Sequence, residues 1–92
     1  MSIEELCVLV NALTTQECFE PKSCVKSDTL TVGSLIGSKG TIIRVVVNKE
    51  NVARFMVTND TRRSNYVDAV NALNLLRLGE IISPVDKYNA EY

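Results

Sequence analysis

Four residues, Gly37-Ser38-Lys39-Gly40, carry the clearest chemical potential in this 92-residue chain. A glycine at each end leaves backbone amides uncovered and lets a ligand approach closely. Between the glycines stand a hydroxyl and an ammonium group. Amides, hydroxyl and cation together suit the oxygens of a phosphate, so the stretch reads as a loop that grips a sugar-phosphate backbone. Lys49, Arg54, Arg62 and Arg63 would extend its positive surface. The charges are segregated in a way that favours this: no base precedes Pro21, eight bases and three acids lie between Pro21 and Arg63, and acids predominate again from Ser64. The net charge of −1 argues against a strong polyanion binder.

Other chemistries find little to work with. There is no histidine, so general acid–base catalysis would fall to carboxylates or tyrosines that form no recognisable pair. Cysteine and serine lack the base that would activate them. A non-enzymatic protein is expected, with no cofactor and no metal. Cys7, Cys18 and Cys24 include no CxxC pair and are read as reduced thiols, Cys7 buried on a helix face. The alternative is a Cys18–Cys24 disulfide across a loop at Pro21, which an oxidising compartment would require. No apolar run approaches the ~18 residues of a membrane span, and Met1-Ser-Ile-Glu-Glu5 lacks the basic start of a secretion signal. A cytoplasmic location is expected.

These side chains must be positioned by a small scaffold. At 46% apolar and 23% charged, the composition suits one globular domain over residues 1–92, with a loose tail from about residue 84. A domain this size buries only about 60–65% of its unfolded surface, which makes a homodimer a natural way to hide more. Ser2 and Glu5 form a capping box. Ile3, Leu6, Cys7, Val10 and Leu13 then share one helical face. Gln16–Ser23 reads as a loop and Cys24–Val32 as a strand, with a break or turn at Ser27-Asp28. Thr41–Val47 and Val52–Thr58 are dense in β-branched residues around a polar turn, which predicts a hairpin. Ser64 is the expected N-cap of a second helix with Tyr66, Ala69, Val70, Leu73 and Leu76 on one face, ended by Gly79. Ile81-Ile82 is placed as a short edge strand or as packing against the core. The fold class that follows is α+β: a three-stranded antiparallel sheet with both helices on one face.

The flanks of the glycine loop suggest a second architecture. Val32-Gly33-Ser34-Leu35-Ile36-Gly37-Ser38-Lys39-Gly40, followed by Ile43 and Val46, resembles the core of a KH domain over about 25 residues. That resemblance implies two short helices meeting at the loop, and a loop that clamps about four nucleotides of single-stranded RNA or DNA. It assigns Gly37, Ser38, Lys39 and Gly40 to the nucleic-acid backbone, and Leu35, Ile36 and Ile43 to the groove or core. The hairpin architecture is similar in element order to a double-stranded RNA-binding domain, with Arg62 and Arg63 entering the last helix. Asn65, Tyr66 and Asp68 depart from that pattern. Two functions stand on these readings: a single-stranded nucleic-acid-binding module, or a small inhibitor, adaptor or phage-type regulator that binds a partner protein. In the second case the glycine stretch is only a connection between strands, and whether Thr41–Val47 is helix or strand bears directly on the choice.

Overall fold

The computed structural model describes residues 2–59 and 62–82. The elements run α1 (Ile3–Leu13), β1 (Phe19–Lys26), β2 (Leu30–Gly37), β3 (Ile42–Asn48), β4 (Ala53–Thr58), α2 (Arg63–Leu76) and β5 (Glu80–Ile81). The class is α+β as expected, but the sheet has five strands rather than three. Strands β1 to β4 form an antiparallel meander in spatial order, and β5 adds in parallel to β4. Both helices lie on one face, α1 over β1 and β2 and α2 over β4.

Two segments account for the undercount. Gln16–Ser23, expected as a loop, contains the start of β1. Its Pro21 is tolerated because β1 is an edge strand. A register shift between Pro21 and Ser23 leaves Lys22 as an extra, bulged residue. Phe19 alone of this strand is buried, so the alternation that marks a half-buried strand is absent. The stretch from Leu30 to Gly37, read partly as a glycine-rich loop, is all strand. The expected Ser27-Asp28 break is real and becomes the β1–β2 turn. There Ser27 Oγ accepts from the Leu30 amide at 3.1 Å.

Of Thr41–Val47, all but Thr41 is strand, in β3. The helices that the KH resemblance implies beside the glycine loop are therefore not its flanks; β2 and β3 are. The hairpin of β3 and β4 stands as read. Asn48 Oδ1 accepts from the Glu50 and Val52 amides at 3.0 and 2.9 Å, and Asn51 takes φ 64°.

On the helix-facing side the registers align Pro21–Leu35–Ile43–Val57 and Cys24–Gly33–Val45–Phe55–Ile81 across the strands. Leu35, Ile43, Val57 and Phe55 are almost fully buried against Leu6, Val10, Ala69 and Leu73. Most of the α1 stripe packs as its spacing predicts, though Leu13 stays exposed. Ser2 Oγ accepts from the Glu5 amide at 3.1 Å, which forms the cap. Helix α2 begins at Arg63, before Ser64, and its cap residue is Arg62. Asn59 Oδ1 takes the Arg62 amide at 2.9 Å. The helix ends on Arg77, which adopts the left-handed conformation (φ 52°, ψ 43°), rather than on Gly79. Ile81 extends the sheet as one of its two expected roles, and the tail from about residue 84 lies outside the described residues.

Candidate functional site: a self-occupied loop and an open sheet face

Gly37-Ser38-Lys39-Gly40 forms the tip of the β2–β3 hairpin. Its four amides all have partners inside the protein. The Gly37 amide donates to the Thr41 carbonyl (2.7 Å), the Ser38 amide to the Cys18 carbonyl (2.9 Å) and the Gly40 amide to the Gly37 carbonyl (3.1 Å). The Lys39 amide donates to Glu17 Oε1 at 2.8 Å, and the Thr41 amide joins it there at 3.1 Å. The Thr41 hydroxyl donates to Glu17 Oε2. In turn, Asn59 Nδ2 donates to Thr41 Oγ1 at 2.6 Å. Even the Ser38 hydroxyl is engaged, accepting from the Cys18 amide at 3.2 Å.

The loop does hold an anion, and that anion is the chain's own Glu17. Glu17 is only 8% exposed. Gly37 is needed for this arrangement, because a Cβ there would sit inside the Glu17 carboxyl group. Gly40 is needed for another reason, its φ of 94°. The glycine spacing thus has a structural cause independent of any ligand. What remains for an outside phosphate is the Lys39 side chain and the Ser38 O–H proton.

The predicted cations divide. Lys39, Arg62 and Arg63 gather at the end of the sheet tied together by Glu17, Thr41 and Asn59. Lys49 lies in the β3–β4 turn at the opposite end. Arg54 projects from the helix-free face, 3.7 Å from Glu80 across β4 and β5, both side chains well exposed. Of the apolar residues assigned to groove or core, Leu35 and Ile43 are core, and Ile36 points to the other face.

That other face was missed by sequence reasoning. No helix covers it. Three cross-strand rows stand on it: Val25–Val32–Val46–Arg54–Glu80, Ser23–Ser34–Arg44–Met56, and Glu20–Ile36–Ile42–Thr58. Val25 is 66% exposed and Met56 40%, while Ile36, Ile42 and Val46 are half-buried by their neighbours alone. Arg44 rises from the middle row, and it has no ion pair or side-chain hydrogen bond among the described residues. No aromatic ring stands on these rows; Phe19, Phe55 and Tyr66 are in the core. The signal was present as alternation in Ile42-Ile-Arg-Val-Val-Val47, where both phases are apolar, so neither side of the strand is plainly the outside.

Cys7 is buried and donates its thiol to the Phe19 carbonyl at 3.2 Å. Burial pushes its pKa up, the nearby Glu20 and Glu4 carboxylates add to this, and a hydrogen bond from Asn11 opposes it. Cys18 and Cys24 are free and exposed. Cys18 immediately precedes β1 and Cys24 lies within it, so an extended chain separates them by up to about 20 Å. A disulfide needs Cα atoms within about 7 Å, so the Cys18–Cys24 alternative fails. Among the described residues no group of His, Cys, Asp and Glu side chains is placed to hold a metal ion, and no helix is long and apolar enough to cross a membrane.

Compared with family models, with curated proteins and with solved structures, the chain matches nothing in any of the three.

Proposed function

We propose that this protein is a non-enzymatic protein-interaction module, and that its docking surface is the helix-free face of the sheet. The observation that carries this reading is the set of apolar side chains on adjacent strands, Val25, Val32, Ile36, Ile42, Val46 and Met56, around the unpaired Arg44. Apolar side chains in two rows, with Ser23, Ser34 and Arg44 in the row between them, combine surface that gains by leaving water with polar groups that fix orientation, as protein interfaces do. Arg44 supplies the specificity. Once covered, its guanidinium needs an acceptor, so the partner surface is apolar and carries a carboxylate opposite it.

Nucleic-acid binding is the weaker reading. The loop amides that would meet a phosphate are already bonded within the protein, Lys39 to Glu17 and the others to main-chain carbonyls, and among the described residues the open face has no ring on which a base could stack.

A photo-cross-linking residue in place of Ser34, at the centre of the open face, tests the proposal in the cells that make the protein. The expected result is a discrete protein adduct that Arg44→Glu abolishes. The absence of any adduct would contradict the proposal. Tight binding of labelled single-stranded RNA at low salt, lost on changing Ser38 and Lys39 to aspartate, would restore the nucleic-acid reading instead.

A further inference from the structure

We infer that the occupant of the open face is a second copy of this chain, packed sheet to sheet about a two-fold axis that runs along β2. This rests on the reading of that face as a docking surface and names its partner.

The charges on the face point to it. Arg54 and Glu80 lie together and neutralise each other. The register also places Arg44 on β3 and Glu20 on β1 on this face, with no ion pair between them within the protomer. They stand one on each side of β2 and one row apart. A partner of unrelated sequence would have to answer each charge separately. A two-fold copy answers both at once, because an isologous contact that brings Arg44 to Glu20 of the second copy also brings Glu20 to the second copy's Arg44.

The apolar side chains fit the same axis. Turning one sheet over about β2 lays β1 of one copy over β3 of the other. Val25 then faces Val46, and Glu20 comes over Ile42, one row from Arg44. A row is about 7 Å along a strand, within reach of an arginine side chain. Val32, Ser34 and Ile36 meet their own counterparts on the axis, and none of these self-contacts sets like charges together. Two sheets packed in this way interdigitate at about 10 Å spacing, as in a β-sandwich. The helices remain on the two outer surfaces, so nothing on the described chain blocks the approach.

The size of the face sets the strength. Only β1, β2 and β3 overlap about this axis, and three strands at ~4.8 Å and five residues at ~3.4 Å give a patch of roughly 14 × 17 Å. That falls short of the ~800 Å² per partner of a standard stable interface. The dimer is therefore expected to dissociate in the micromolar range or above, and the face is exchangeable rather than permanently sealed.

Sedimentation equilibrium on the intact protein over a wide concentration range tests the inference. The mass should rise with concentration from 10.2 kDa towards twice that value. Arg44→Glu and Glu20→Arg should each weaken association by about tenfold or more, the order expected for losing paired charges at an interface. The Arg44→Glu, Glu20→Arg double variant should recover most of the loss. Circular dichroism of each variant confirms that the fold is kept. A wild type that stays monomeric throughout overturns the inference, as does association that neither single change weakens or that the double change fails to restore. If the wild type is monomeric and Ser34 still cross-links to a different protein, only the second-copy inference fails. If there is neither association nor adduct, the interaction reading fails with it.

Discussion

Glu17 is the residue around which the glycine loop closes. Its carboxylate accepts two backbone amides and the Thr41 hydroxyl in a buried setting, so it replaces the phosphate that the loop's composition suggests. Replacing Glu17 with alanine strands those three donors and should cost at least about 3 kcal/mol, from a penalty of ~1–3 kcal/mol for each donor left without a partner. Urea denaturation of Glu17→Ala beside Glu17→Gln checks this, with glutamine the milder change because one amide oxygen remains to accept. A Glu17→Ala protein as stable as wild type would show that the carboxylate does not organise the turn. Thiol chemistry gives a second expectation at this scale. Cys18 and Cys24 should alkylate readily in the native protein, while Cys7, buried and with its pKa raised, should react only on unfolding. Mass spectrometry after a brief iodoacetamide pulse reads all three. The Gly-x-x-Gly pattern was legible in the sequence because glycine spacing is local. Its cause was not, because Glu17 lies twenty residues upstream of Gly37 and looks there like any surface acid.

The elements whose local pattern agreed with their tertiary role could be read directly. Helix α1 carries a clean apolar stripe and a Ser2 cap, and the β3–β4 hairpin joins two β-branched runs through a polar turn. Strand β1 could not be read, because burial reaches only Phe19 and its edge is defended by other means. Asn11 is one of these: its side chain accepts from the Phe19 amide at 2.8 Å and donates to the Phe19 carbonyl at 3.0 Å, in place of a further strand. Pro21, the bulge at Lys22 and Lys26 continue the protection, as sheet edges commonly require. Asn11→Ala should therefore destabilise the protein by about 1–3 kcal/mol and speed amide exchange at Phe19, measurable by hydrogen–deuterium exchange. The end of α2 offers a change of opposite sign. Arg77 holds a left-handed conformation that glycine adopts freely, so Arg77→Gly should stabilise by roughly 0.5–1 kcal/mol. That corresponds to a rise in Tm of a few degrees for a domain of this size.

At the scale of the whole molecule, two layers leave one surface uncovered. The helices bury one side of the sheet, and the other presents aliphatic rows that a lone two-layer protein has no folding reason to keep. Single polar changes there, such as Val46→Thr or Val25→Lys, should alter folding stability by no more than about 0.5 kcal/mol, as solvent-facing substitutions usually do. The same changes should weaken docking. Both quantities can be followed on each variant, by thermal melting and by sedimentation. A large loss of Tm would mean that the face is part of the core. This face was hidden in the sequence because the register that assembles Val25, Val32 and Val46 into one row depends on where β1 and β2 begin. The start of β1 lies in Gln16–Ser23, which reads as a loop, and that of β2 inside Cys24–Val32, which reads as one strand with a break.

Which surface does the binding is most directly measured by placing one photo-cross-linking residue at Ser34 on the open face, and in a separate protein at Lys39 on the loop tip. The two can then be compared for adduct yield and identity. Efficient protein cross-links from position 34, and few from position 39, are the expected result. Nucleic-acid adducts from position 39 with none from position 34 would contradict it.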